Sequence, residues 1–154
     1  MLAFLAVLRN ALSTMLPIGA GAPAFTLQHP SGVLIHRGIR EAEIRGLPGV
    51  RSLDLADGRH WYKLEDAEIS GRNISMSLYF SNEALEFLSF AIVDGEAGRD
   101  PWKNWSEERE QQRLEAIRQW LADVGYAAGD YPWGTVYAEF DAKSGGVMAG
   151  VKFR

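Results

Sequence analysis

The sequence predicts an α+β domain: an antiparallel sheet of about six to eight strands, built from hairpins and packed by two helices. Three observations carry this prediction. Polar and apolar residues alternate between short turn-forming clusters, and residues 105–124 follow the 3.6-residue period of an amphipathic helix. Residues 131–153 then combine an aromatic turn with another alternating hairpin. The 154 residues, of which 47% are hydrophobic and 23% charged, fit a single domain spanning 1–154.

Residues 1–16 are predicted to form an N-terminal helix, because polar side chains gather on one arc and apolar side chains on the opposite arc. The apolar arc comprises Phe4, Leu5, Leu8, Leu12, Met15 and Leu16. Pro17 and Gly19 end this helix, and residues 17–23 form a linker to an α+β body over 24–154.

The same N-terminal segment has an alternative interpretation as an export signal. Its apolar run precedes small residues of the A-x-A type at Ala20–Ala22, as a cleavage site requires. No cation precedes the run, however, and Arg9 interrupts it. We therefore favour a retained helix and a cytoplasmic location, with a periplasmic location if residues 1–24 act as an export signal. The run is too short for a transmembrane span.

The first half of the body is predicted to form two hairpins. Residues 24–36 alternate around the turn-forming His29-Pro-Ser-Gly cluster. Residues 50–55 and 60–64 are predicted strands joined by Asp57-Gly58, a dipeptide favoured in tight hairpins. The intervening residues 37–49 are ambiguous: their glycines and Pro48 break any long element, and residues 39–44 fit either one strand or a short turn of helix.

Residues 73–93 carry the strongest strand signal. Ile74, Met76, Leu78 and Phe80 alternate with Ser75, Ser77 and Tyr79 before a turn at Ser81-Asn82. The following strand is apolar on both faces, which predicts a central position in the sheet or a covering helix. The serines and Tyr79 are expected on the uncovered face, and residues 94–101 form a loop.

The long helix over 105–124 has acidic residues in its first turns, where the helix dipole favours them, and Gly125 as its stop. The final hairpin turns at Gly145-Gly146 between alternating strands. These two elements complete the predicted sheet.

Composition excludes several classes of function. The net charge is −4, the pI is about 5.4 and the basic residues are scattered, so we expect neither nucleic acid nor an anionic membrane as partner. The chain has no cysteine, which removes disulfides and thiolate chemistry. Sequence does not indicate the oligomeric state.

No catalytic constellation stands out. The three histidines lack the spacing of metal ligands, and Lys143-Ser-Gly-Gly lies in a predicted turn and lacks the rest of a phosphate loop. Glu139 and Asp141 stand two residues apart on one strand and are expected on the same face, which makes them candidates for the acid and base of a hydrolase. We favour solvated side chains, and predict no metal, no cofactor and no enzyme activity.

Aromatic residues at element ends provide a candidate binding surface, because tryptophan and tyrosine concentrate at binding hot spots. Glu139 and Asp141 are added as its polar members. The alternative is that these rings fill the core. The candidate residues are Trp61, Tyr62, Trp102, Trp105, Tyr131, Trp133, Glu139 and Asp141.

The last half of the chain resembles a known group of proteins. The pattern consists of Ile117-Arg-Gln-Trp-Leu-Ala-Asp-Val-Gly, then Tyr131-Pro-Trp-Gly-Thr-Val, then Glu139-Phe-Asp-Ala-Lys-Ser-Gly-Gly. It resembles small uncharacterised bacterial proteins that include immunity proteins of polymorphic or contact-dependent toxin systems. The resemblance implies a non-enzymatic protein that neutralises a toxin domain, and it carries over no catalytic residue.

Two functions follow from these observations. The leading one is a protein-binding module, with toxin neutralisation as its specific role; an acidic protein suits a basic nuclease toxin, since complementary charge accelerates association. The alternative is an exported or periplasmic small-ligand-binding protein, whose aromatic residues line a pocket.

Overall fold

A computed structural model describes residues 24–93 and 105–154, and these contain ten strands and two helices. The first half holds β1 (Thr26–His29), β2 (Val33–His36), α1 (Glu41–Arg45), β3 (Arg51–Asp54), β4 (Arg59–Lys63), β5 (Ala67–Ile69), β6 (Arg72–Ser81) and β7 (Ala84–Ile92). The second half holds α2 (Glu107–Asp123), β8 (Gly129–Tyr131), β9 (Gly134–Asp141) and β10 (Gly146–Phe153).

Eight strands form one antiparallel sheet in the order β3-β4-β6-β7-β10-β9-β8, with β5 paired to β6 beyond this path. The β1–β2 hairpin is a separate two-stranded sheet. The α+β class and the hairpin construction are confirmed. The helices differ in detail, because α1 lies in the segment that sequence left ambiguous. The predicted N-terminal helix 1–16, the linker 17–23 and the predicted loop 94–101 lie outside the described residues.

One face of the sheet carries the core. Ile74, Met76, Leu78 and Phe80 alternate along β6 and are fully buried, as their pattern predicts. All four lie opposite apolar residues of β7, and Leu78 also lies opposite Tyr62 of β4. α2 packs against β7, β9 and β10 on this side. The central position predicted for the second strand of this hairpin is confirmed, since β7 pairs with both β6 and β10.

Both ends of α2 show why the helix occupies these residues. The Ser106 hydroxyl accepts a hydrogen bond from the Arg109 amide at 3.1 Å, an N-cap that satisfies one free amide of the first turn. At the other end Gly125 adopts a φ of 98°, and the amides of Gly125 and Tyr126 donate to the carbonyls of Ala122 and Leu121. This Schellman ending needs a residue that tolerates a left-handed backbone, which is why glycine ends the helix.

The β1–β2 hairpin covers the end of the core near β8 and β9. Leu27, Val33 and Ile35 are buried, and the Phe25 ring lies 4.6 Å from the ring of Tyr126 and 5.7 Å from that of Trp133. In the described residues, neither helix is long and apolar enough to cross a membrane.

Candidate binding surface

The second face of the eight-stranded sheet is uncovered by any described element, and we call it the open face. Leu53, Trp61, Tyr79 and Phe87 lie directly opposite one another on the neighbouring strands β3, β4, β6 and β7. We call these four residues the apolar row. All are at least partly exposed, Leu53 at 54%, whereas every fully buried strand side chain of this sheet lies on the core face.

A shallow groove of about 490 Å³ continues the apolar row toward β9. Tyr79 and Phe87 form one wall, with their rings stacked at 4.4 Å between centroids and 15° between planes. Tyr137 packs over Gly150, where a Cβ atom would come within 2.6 Å of its hydroxyl oxygen. Burial, with the nearby Glu139 carboxylate, raises the pKa of Tyr137. The groove is lined by Tyr79, Glu86, Phe87, Tyr137, Glu139, Met148 and Lys152.

Charges are unevenly distributed on the open face. Arg59 and Lys63 flank Trp61 at alternate positions of β4, and Arg51 lies directly opposite Lys63. We call these three cations the basic edge. At the far side of the face, Glu139 lies opposite the exposed Met148.

The register places three of the eight candidate residues on the open face: Trp61 on β4, and Glu139 and Asp141 on β9. Tyr62 follows Trp61 on β4 and therefore faces the core, where it is 3% exposed and packs edge-on against Phe80 at 5.6 Å. Trp102 lies outside the described residues.

Tyr131 and Trp133 form a separate aromatic cluster that holds the β1–β2 hairpin. Their rings stack at 4.7 Å and 16°, and the Tyr131 hydroxyl donates to the Ala127 carbonyl at 2.6 Å. Burial raises the pKa of Tyr131. Since Phe25 and Phe153 pack against Trp133, these rings contribute to packing at the end of the core.

Trp105 lies beside the β9–β10 turn. Its indole nitrogen donates to the Gly145 carbonyl at 2.7 Å, and 45% of the residue is exposed. A cavity of about 200 Å³ separates this turn from α2 and the end of β7. Its lining includes the apolar Phe90 and Ile117 together with Glu110 and Arg113.

Glu139 and Asp141 have different surroundings. Glu139 lines the open-face groove, whereas Asp141 accepts a hydrogen bond from the Lys143 amide at 3.1 Å at the end of β9. The Ser144 hydroxyl and the Lys143 amide hold the pKa of Asp141 below its usual value. Asp141 therefore stabilises the turn, and the structure does not pair the two carboxylates as an acid and base.

A buried carboxylate connects α1 to β4, and the sequence analysis did not single it out. Glu41 is 5% exposed and binds the His60 Nδ1 atom at 2.7 Å and an Arg45 guanidinium nitrogen at 3.1 Å. Arg45 also donates to the Tyr62 hydroxyl at 3.2 Å. In the sequence, only the Glu41–Arg45 ion pair could have been predicted, because the two residues are four positions apart, about one turn of a helix. Across residues 24–93 and 105–154, no cluster of three or more ligating side chains could hold a metal ion.

His29 is the one histidine that is fully buried in the described structure, at 1% exposure. Its Nδ1 accepts the Ser31 amide at 3.2 Å, and its Nε2 has no hydrogen-bond partner. Burial lowers the pKa of His29 from 6.5, partly offset by the backbone of Glu65.

This burial predicts a pH-dependent stability. The unfolded histidine binds a proton more readily than the folded one. The free energy of unfolding therefore decreases as the pH falls below about 6.5. In urea unfolding between about pH 7.5 and about pH 5.5, His29→Asn should weaken this loss, because the amide oxygen keeps the Ser31 bond but cannot titrate. An unchanged pH dependence in the variant would contradict the prediction.

Three aromatic residues of the open face were not in the candidate set: Tyr79, Phe87 and Tyr137. The alternation of 73–93 placed Tyr79 on the uncovered side, which the structure confirms. The sequence does not show the register between strands, and it is this register that brings residues distant in sequence into one row.

Comparison with protein families, with curated proteins and with solved structures finds no match to this chain. The resemblance to bacterial immunity proteins therefore stays a prediction.

Proposed function

We propose that this chain is a non-enzymatic protein-binding module whose docking surface is the open face. One observation carries the proposal: the apolar row crosses four neighbouring strands of a face that no described element covers. Uncovered apolar side chains in one contiguous set are typical of interaction sites.

The geometry of the row suits a protein surface. Four strands spaced by about 4.8 Å extend the row over about 14 Å. A row of this length can form the apolar centre of a contact with another protein. Its tyrosine and tryptophan are residue types that dominate binding hot spots. The Tyr79–Phe87 stack already restricts these rings, so docking orders few side chains and loses little entropy.

The specific role that we propose is neutralisation of a bacterial toxin domain in the cytoplasm. The resemblance of the last half of the chain supports this role, and so does the net charge of −4, which favours rapid association with a basic nuclease domain.

The test uses the purified product of the neighbouring gene and measures its affinity by calorimetry. Tyr79→Ser combined with Phe87→Ser is expected to weaken binding by about a hundredfold, since each anchor contributes about 1–2 kcal/mol. Leu34→Ser is the matched control, because Leu34 is also exposed, at 46%, but lies on the separate β1–β2 hairpin.

Two results would contradict the proposal. One is equal loss of affinity in the double variant and the control. The other is a neighbouring product that does not bind and from which the chain does not protect cells.

The cavity beside Trp105 favours the second candidate, a small-ligand-binding protein that is exported. Its volume of about 200 Å³ and its mixture of apolar and charged walls suit a small amphipathic molecule. A thermal-shift screen in which ligand stabilisation disappears in Trp105→Ala, together with mass-spectrometric detection of cleavage near Ala24, would support it. Retention of the N-terminus in a cytoplasmic pool contradicts export.

A further inference from the structure

The basic edge concentrates positive charge on an otherwise acidic protein. Arg59 and Lys63 are the alternate neighbours of Trp61 on β4, so all three side chains lie on the open face. Arg51 is added from β3, directly opposite Lys63. The acidic side chains on strand positions of the open face lie on other strands: β5, β7, β8 and β9.

The cations of the basic edge repel one another, and no ion pair neutralises them within the described residues. Like charges directly opposite each other on antiparallel strands destabilise the pair, and none of the three cations forms an ion pair in residues 24–93 and 105–154. Glu65 and Asp66 line the depression beside Arg51 and Lys63 without pairing with them. An anionic group bound here would relieve the repulsion.

The same edge offers a free strand. All four residues of β3 are exposed, and among the described strands β3 pairs with β4 alone. Its outer backbone amides and carbonyls can therefore pair with an extended chain about 4.8 Å away. Side chains of that chain would lie opposite Arg51 and Leu53 on the open face.

We propose that β3 and the basic edge bind an extended acidic segment of a partner protein, which adds to the sheet as a further strand. The segment carries an acidic residue opposite Arg51 and an apolar residue opposite Leu53, two positions away along the same strand. The inference rests on the proposed function, since it names the chemistry of the partner at one end of the open face.

Fluorescence anisotropy with a labelled peptide tests the proposal on the whole chain. The probe is Thr-Glu-Thr-Val-Thr-Glu-Thr, which places glutamates and valine on one face of a strand, and the comparison peptide has lysine in place of glutamate. We expect the glutamate peptide to bind at least about tenfold more tightly, with an affinity that falls as salt is added.

Charge reversal identifies the site. Arg51→Glu with Lys63→Glu should lower the affinity for the glutamate peptide by about tenfold or more. Arg37→Glu with Lys143→Glu changes the net charge equally at exposed positions elsewhere and should leave that affinity within about twofold. Backbone N-methylation of alternate probe residues should abolish binding, because it blocks strand addition.

Several outcomes would overturn the inference: equal binding of both peptides, equal effects of the two double variants, or full binding of the N-methylated probe. Tighter binding of an oligothymidylate would assign the edge to single-stranded nucleic acid instead and overturn it as well. If Tyr79→Ser with Phe87→Ser weakens binding of the neighbouring gene product while charge reversal does not, the inference fails and the proposed function stands. If neither double variant weakens binding of the neighbouring gene product, both the inference and the proposed function fail.

Discussion

Trp120→Ala is expected to lower the free energy of unfolding by about 4 kcal/mol, close to the upper range for core substitutions. Trp120 is 1% exposed on α2, and its ring packs edge-on against Phe90 at 5.3 Å. Its indole nitrogen also donates to the Ile69 carbonyl at 2.9 Å. The substitution therefore opens a large cavity between helix and sheet and leaves a buried carbonyl without its partner.

Denaturant unfolding followed by circular dichroism measures this loss. Trp105→Ala is the matched control, since it removes the same side chain from a position that is 45% exposed, and it should cost less than about 1.5 kcal/mol. Similar losses in the two variants would show that Trp120 does not occupy the buried position described.

Gly150→Ala is expected to destabilise the sheet by about 3 kcal/mol, even though it adds one methyl group. A Cβ atom at Gly150 would meet the Leu88 carbonyl oxygen of the neighbouring strand and the Tyr137 hydroxyl oxygen. A side-chain hydroxyl can move, but the backbone carbonyl belongs to the centre of the sheet and cannot move without disturbing β7.

Gly146→Ala, on the same strand, provides the control. The nearest atom to a Cβ atom there is 3.9 Å away, which is ordinary van der Waals contact. Thermal unfolding should therefore show a large decrease in midpoint for Gly150→Ala and a small change for Gly146→Ala. Equal midpoints would contradict the close approach at Gly150.

The sequence predicts those strands that are long enough to show a period. The alternation along residues 74–80 specifies both the strand β6 and its core face, because each second side chain must reach the same side. β5 and β8 contain three residues each and show no period. They were missed because β6 and β9 provide the edges against which they pair, and such pairing is visible only in three dimensions.

From sequence we could predict a surface with exposed aromatic residues, but not which aromatic residues form it. Trp61 and Tyr62 are neighbours on one strand, so a period of two already requires that they face opposite sides. Which of them joins the open face depends on the register with Tyr79, a residue of another hairpin. Trp133 was placed in the same surface because sequence does not reveal Phe25, which packs against it from near the opposite end of the described chain.

The position of β10 has a kinetic consequence. It follows every other described strand in sequence and yet lies between β7 and β9. The β9–β10 hairpin can form locally, but the pairing of Val151 with Leu88 closes a long loop, and loop closure of this kind slows folding. Because α2 packs against β7, β9 and β10, it spans the junction at which β10 pairs with β7. We therefore expect the two parts of the sheet to join late in folding, when the helix and the β9–β10 hairpin dock together onto β7.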